Sequence, residues 1–200
     1  MYDVLIIGAG PGGIFSAYEL IRQNPQLKVG VFEAGHELNK RKCPIDGKKF
    51  KTCIGCKSCS IMSGFGGAGA FSDGKYNITN DFGGTLYEYI GKKNALELMR
   101  YVDDINMAFG GEGTKLYTTA GSHIKKMCLQ NDLHLLDASV RHLGTDINYV
   151  VLENLYAYLK EKVDFFFDTP VETVRVTEDG YELTARGQTF SCKDCVISVG

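Results

Sequence analysis

"LIIGAGPGG", residues 5–13, decides how the rest of this chain is read. The apolar run Val4 to Ile7 breaks abruptly into Gly8-Ala9-Gly10-Pro11-Gly12-Gly13, the spacing G-x-G-x-x-G. A short continuous apolar run bounded by glycine predicts a buried parallel strand. From Gly12 to Arg22 the apolar positions Ile14, Ala17, Tyr18 and Ile21 recur at helical spacing, and Asn24-Pro25 stops that helix. "KVGVFEA", residues 28–34, predicts a second strand. Strand, helix and strand make a βαβ unit, whose crossover is right-handed.

Each glycine has a part in that unit. The first makes the tight turn, the second lets backbone N–H groups approach a pyrophosphate, and the third lets the helix lie close on the strand. The helix N-terminus then faces the phosphates with its partial positive charge. Glu33 ends the second strand 20 residues after Gly13, where a carboxylate can accept hydrogen bonds from both ribose hydroxyls and disfavour a 2′-phosphate. A turn that merely packed helix on strand would not need Glu33. The unit therefore reads as a dinucleotide site, and the fingerprint alone does not separate FAD from NAD.

Working outward, the chain has 200 residues, is 44% hydrophobic and 23% charged, and carries only 4 prolines, so it reads as globular. A formal net charge of −2 gives no electrostatic case for nucleic acid or an anionic membrane surface. No apolar stretch approaches the ~20 residues that span a bilayer, and "MYDVLIIG" reads as a strand rather than a signal peptide. The expected location is cytoplasmic. There the 7 cysteines suit metal ligation or redox chemistry better than structural disulfides.

Beyond the first unit, residues 84–109 predict helix in two pieces around Lys92-Lys93-Asn94, and 121–130 a shorter helix with Cys128 in its core. Thr145-Asp146 can cap a long helix to about Lys162, with Ile147, Val150, Val151, Leu155, Tyr158 and Leu159 on its apolar face. "DFFFDT" predicts a strand, "VETVRVTEDGYELTARGQTFS" an antiparallel meander, and "CVISVG", 195–200, a final buried strand.

Three further features bear on chemistry. "SGFGGAGAFSDG", residues 63–74, is too apolar for a flexible linker, and its bare backbone suits close approach of a flat ring at Gly66, Gly67 and Ala68. Asp73 and Lys75 follow it, as polar site groups or as solvated loop charges. Cys53, Cys56 and Cys59 form C-x2-C-x2-C within a cysteine-rich loop, 43–61, and Cys43 could supply a fourth thiolate. That set could hold a [4Fe-4S] cluster passing single electrons to a flavin, or structural zinc, or no metal at all. Cys192 and Cys195 also read C-x-x-C, at a turn between two predicted strands, and are expected to be structural. His36 and His142 lie near the cofactor motifs, where a hydrogen-bonded structural role is expected for each.

The N-terminal βαβ, the strand "FFFDTPVETVRV" and the late "VISVG" resemble FAD-binding oxidoreductases of the glutathione-reductase superfamily. More narrowly, Lys40-Arg41-Lys42, "SGFGGAGAFSDGKYNITN" and "RHLGTD" (141–146) are similar to motifs of a family of uncharacterised FAD-dependent dehydrogenases of bacteria and archaea. The resemblance implies a Rossmann-like, doubly wound α/β fold of the FAD/NAD(P)-binding kind with an antiparallel meander, residues 1–200 forming one FAD-binding domain. It implies cofactor contacts from Gly8, Gly10, Pro11, Gly12, Gly13, Glu33, Ala34, Arg41, Lys42, Gly66, Gly67, Ala68, Val171 and Gly200, with Val171 near the adenine. It also implies an oxidoreductase acting on a small molecule or an electron carrier, with NAD(P)H a candidate partner. Such flavoproteins continue past the late glycine and return with a Gly-Asp motif, so the 200 residues are expected to be the N-terminal portion of a larger enzyme. Two other readings stay open: an NAD-binding dehydrogenase domain, and a non-catalytic redox or metal sensor built on the cysteine-rich loop.

Overall fold

The computed structural model describes all residues, Met1–Gly200. They divide into two compact units, residues 1–71 with 155–200, and residues 72–154.

The first unit is a Rossmann-like α/β fold. Its strands are β1 (Tyr2–Ile7), β2 (Val29–Phe32) and four more numbered below; its first helix is α1 (Pro11–Gln23). Expectation and structure agree closely here. β1 pairs in parallel with β2, Val4 opposite Val29 and Ile7 opposite Phe32. On α1, Gly13, Ile14, Ala17 and Ile21 are buried and Tyr18 is half-buried.

The second unit contributes β3 (Lys75–Ile78), β4 (Leu116–Thr118) and β5 (Ser139–His142), an antiparallel sheet in the order β3-β5-β4 that the sequence did not announce. Its helices are α2 (Leu86–Ile90), α3 (Lys92–Asn106) and α4 (His123–Leu129). Gly91 makes the break between α2 and α3. Asp103 on α3 and Arg141 on β5 form a nearly buried two-pronged pair, Nε to Oδ1 at 2.7 Å and Nη2 to Oδ2 at 2.8 Å. The carboxylate holds the Arg141 guanidinium even more firmly protonated than usual. α4 buries no residue, so Cys128 is half-exposed rather than core.

Helix α5 (Gly144–Leu159) is divided between the units after Asn154. Val151, Leu155 and Leu159 are buried as expected, but Val150 is 42% exposed. Asn148 is buried in its stead, accepting from the Tyr76 hydroxyl at 2.7 Å.

The first unit resumes with β6 (Val163–Phe166), β7 (Val171–Thr177), β8 (Gly180–Ala185) and β9 (Gln188–Ile197). One six-stranded sheet has the order β6-β2-β1-β9-β8-β7, parallel from β6 to β9 and antiparallel through the β7-β8-β9 meander. The run Phe165-Phe166-Phe167 alternates across the sheet, as side chains on extended backbone must. Phe166 stacks on Phe32 at 4.6 Å between centroids, while Phe165 and Phe167 enclose Phe65 with Tyr156. β6 is the edge strand, with Val163 buried, Phe165 and Phe166 half-buried and Asp164 exposed.

One expectation is corrected here. The last meander strand and the final parallel strand are a single strand, β9, which pairs with β8 through Cys192 and with β1 from Cys192 to Ile197. Cys192 and Cys195 therefore sit inside a strand, not at a turn. Its end is also exposed, with Ile197 and Val199 each 64% accessible.

Candidate functional site

The site grows from the end of β1. The Gly8 N–H donates to the Phe32 carbonyl at 2.7 Å, and the Ser198 N–H to the Ile7 carbonyl at 2.8 Å, so three chain segments meet at the strand tips. α1 starts at Pro11 with Gly10 as N-cap, without a side-chain cap and without an acidic residue in its first turn. Its first N–H groups thus keep their hydrogen-bonding capacity and their positive partial charge.

What each glycine does follows from what a methyl group there would touch. A Cβ at Gly13 would overlap the Gly8 carbonyl, so this residue lets α1 lie on the β1 turn. A Cβ at Gly8 would overlap the Ser198 carbonyl, and one at Gly12 the Ser198 hydroxyl. Backbone packing explains Gly13 and Gly8, whereas at Gly12 a rotation of the Ser198 side chain makes room. Gly10 differs: a Cβ there meets nothing within 4 Å, and its φ of −74° suits any residue. The protein itself does not require Gly10 to be bare.

Glu33 is buried, and its carboxylate joins three backbone segments. Oε2 accepts from the Ala9 N–H at 2.7 Å, and Oε1 from Gly35 at 2.8 Å and Gly64 at 3.0 Å. The second glycine-rich loop is thereby tied to the first, a tie reinforced by the Gly66 N–H donating to the Ala9 carbonyl at 2.8 Å. A carboxylate has about four acceptor positions, so about one remains.

Arg41, also buried, does similar work with opposite charge. Nε donates to Ser60 O at 2.9 Å, Nη2 to Ile61 O at 2.9 Å, and Nη1 to Phe65 O at 2.6 Å and Gly67 O at 2.8 Å. Burial pulls its pKa below that of a free guanidinium, while the Glu33 charge opposes that shift.

These segments enclose a cavity of ≈ 740 Å³. Of the positions expected at a cofactor, Gly8, Gly10, Pro11, Gly12, Glu33, Ala34, Gly67, Ala68, Val171 and Gly200 line it. Gly13, Gly66 and Arg41 stand behind the lining and shape it through the contacts above. Lys42 is exposed and outside it. Met62, Ser63, Gly64, Thr169, Pro170 and Ser198 also line the cavity and were not anticipated. Their signal in the sequence was adjacency to the motifs, with "TP" before Val171 and "SIMSG", residues 60–64, spelling out ordinary loop residues.

The four-cysteine metal site does not form. No group of three or more potential ligands converges anywhere in the chain, and Cys43, Cys53 and Cys56 are exposed, with Cys59 half-exposed. Locally, the Asp46 carboxylate accepts from the Lys48 N–H at 2.9 Å and the Phe50 N–H at 3.0 Å, which closes residues 46–50 into a turn of their own. The segment that should fold Cys43 back toward the other three thus satisfies itself instead.

Asp73 and Lys75 are exposed, Asp73 lying 3.6 Å from His142 Nε2. His36 pairs through Nδ1 with Asp168. These are structural or solvated roles. No helix is long and apolar enough to cross a membrane.

No family model matches the chain. An uncharacterized protein of Clostridium beijerinckii (strain ATCC 51743 / NCIMB 8052) is 39% identical over 197 residues, which are 98% of this chain and 30% of that protein. Among solved structures, glycine oxidase from Geobacillus kaustophilus matches all of this chain and 55% of its own, with a TM-score of 0.53 and 16% identity. CtdE in complex with FAD and substrate matches all of this chain and 38% of its own, with a TM-score of 0.50 and 13% identity. The chain thus spans less than two thirds of each of these proteins, and it shares the fold of the two enzymes.

Proposed function

We propose that residues 1–200 are the FAD-binding portion of a flavin-dependent oxidoreductase. The observation that carries this reading is Gly10: a bare position that no protein atom demands, at a helix N-terminus with free amides, facing a cavity of ≈ 740 Å³. A close-approaching pyrophosphate accounts for it. The shared fold with CtdE, whose structure holds FAD, and with glycine oxidase supports the choice of cofactor and reaction class. So does the likeness of the 63–80 segment to the FAD-dependent dehydrogenase family.

In this reading the amides at Gly10, Gly12 and Gly13 hold the pyrophosphate, and Ala34 and Val171 flank the adenine. Gly67 and Ala68 present backbone to the rest of the cofactor. Glu33 acts first as a brace between the loops and offers its one remaining acceptor position to a ribose hydroxyl. Bound flavin would supply hydride or electron transfer, which no side chain here can perform. The chain's own part is to orient the cofactor, with Phe32, Met62 and Pro170 as apolar wall. The substrate is a small molecule or an electron carrier, with NAD(P)H a candidate donor.

The test is a titration of the 200-residue protein with FAD, followed by flavin fluorescence, with NAD+ as competitor. Saturable FAD binding that NAD+ does not displace is expected, weak in these 200 residues alone and tighter in a longer chain. Binding of NAD+ in preference to FAD would overturn the assignment in favour of a nicotinamide-dependent dehydrogenase.

A further inference from the structure

No lysine, arginine or histidine lines the cavity at the tips of β1 and β2. A pyrophosphate seated there meets no cationic side chain, because Arg41 stands behind the wall and is turned to backbone carbonyls. Backbone amides and hydroxyls are the donors that remain. Polar side chains line the cavity at Glu33, Ser63, Thr169 and Ser198. Glu33 as a carboxylate only accepts, and its charge repels a phosphate. The Thr169 hydroxyl donates to the Phe167 carbonyl at 2.7 Å, so its proton is already engaged. The Ser63 and Ser198 hydroxyls make no hydrogen bond within the protein.

These two hydroxyls belong to different parts of the wall. Ser63 sits at the end of β2: a Cβ on Gly35 would come within 2.5 Å of the Ser63 carbonyl carbon, and the next N–H, of Gly64, is held by Glu33 at 3.0 Å. Ser198 sits at the start of α1. Its Oγ lies so near Gly12 that a Cβ there would come within 2.3 Å of it. Gly12 is in the first turn of α1, where an N–H has no partner inside the helix. A hydroxyl packed against Gly12 is therefore beside any anion that this amide holds.

The backbone of Ser198 is firmly placed and its side chain is not. The N–H donates to the Ile7 carbonyl at 2.8 Å, and the Ser198 carbonyl lies against Gly8, where a Cβ would come within 2.4 Å of it. The side chain is half-buried and turns about a single torsion. It can leave Gly12 for a ligand without moving the strand tip.

We propose that the Ser198 hydroxyl donates a hydrogen bond to a pyrophosphate oxygen of the bound dinucleotide, and is the side-chain donor that joins the α1 amides there. The inference rests on the cofactor reading and adds to it a residue that neither the glycine spacing nor the family resemblance singled out. A hydroxyl donating to an anion makes a shorter and stronger bond than one between neutral groups, which suits a site without a cation.

The experiment follows FAD binding by flavin fluorescence in the wild-type protein, Ser198→Ala and Ser63→Ala, with ADP and adenosine as competitors. These two ligands share the adenosine and differ in the phosphates. Expected for Ser198→Ala is about a tenfold loss of affinity for FAD and for ADP, the size of one hydrogen bond to a charged group, while adenosine competes within about twofold of its wild-type strength. The adenosine result also shows that the variant site is folded. Any loss in Ser63→Ala should fall on ADP and adenosine alike. If the wild-type protein binds FAD and Ser198→Ala keeps the full preference for ADP over adenosine, the assignment of Ser198 is overturned and the cofactor reading stands. An equal loss of that preference in Ser63→Ala would place the phosphates at the end of β2 and overturn the assignment as well. A wild-type protein that binds neither FAD nor ADP would overturn both.

Discussion

The first glycine loop, residues 8–13, and the cysteine-rich loop, 43–61, carry sequence motifs of comparable regularity, and the structure treats them oppositely. In the glycine loop every glycine but Gly10 is met by its neighbours. Gly13 lies on the Gly8 carbonyl, Gly8 and Gly12 lie on Ser198, and the Ala9 amide is held by a buried carboxylate. In the cysteine loop the sulfurs are mostly exposed; Asp46 makes a turn for itself, and Arg41 holds only the far end, at Ser60 and Ile61. Spacing shows what geometry is open to a segment. Packing from outside the motif decides whether that geometry is taken up.

The comparison is broken most severely at Gly13. Gly13→Ala forces a methyl group into the Gly8 carbonyl and should destabilise the fold by about 3–5 kcal/mol, the range of severe core disruptions, read from the urea midpoint. A loss near zero would mean that α1 and the β1 turn are not in close contact.

Glu33→Ala is next. It removes the shared acceptor of Ala9, Gly35 and Gly64 and leaves the Arg41 charge buried with less compensation. A cost of about 2–4 kcal/mol in urea unfolding, before any cofactor is added, is expected for a buried charged hydrogen-bond hub. A variant of unchanged stability that only loses nucleotide affinity would return Glu33 to a purely ribose-binding role.

The sheet beneath the loop gives a milder test through pH. Tyr2 donates from its hydroxyl to Asp164 Oδ2 at 2.7 Å, and burial, with that carboxylate second, pushes its pKa from 10.0 to about 12. The unfolded chain ionises this phenol first, so the folded state is destabilised as pH rises from 10 to about 12, and the contribution is complete below pH 10. Tyr2→Phe should flatten that alkaline limb of the stability profile. An unchanged limb would remove Tyr2 from the account.

Least of all should happen at Cys53. Cys53→Ser changes an exposed side chain without packing duties and should shift stability by no more than about 0.5 kcal/mol. A larger loss would reveal order in the cysteine loop that its exposure does not show.

Legibility in the sequence followed the same division. The βαβ unit could be read because its period and its glycines are local consequences of one strand, one helix and one turn. The cavity positions Gly10 and Glu33 followed from that frame, whereas Val171 came only from the family resemblance. Glu33's part as a brace could not be read, because Gly64 lies 31 residues further on and nothing local says that its amide will arrive there. The small sheet of β3, β5 and β4 was hidden for a similar reason: its strands are only 3 or 4 residues long and pair across long excursions. Arg41 was expected to contact the cofactor, but the structure places it behind the cavity wall, on four carbonyls of a loop whose path the sequence does not encode by period.

The most direct test of the central claim compares FAD binding by the wild-type protein and by Gly10→Ala, with urea unfolding of both as control. Since a Cβ at Gly10 touches no protein atom, stability should change by no more than about 0.5 kcal/mol. FAD affinity should nevertheless fall by about tenfold or more, as expected when a methyl group displaces a pyrophosphate from the backbone amides. Equal FAD affinity in the two proteins would contradict the claim that the glycine loop is bare for the sake of a nucleotide.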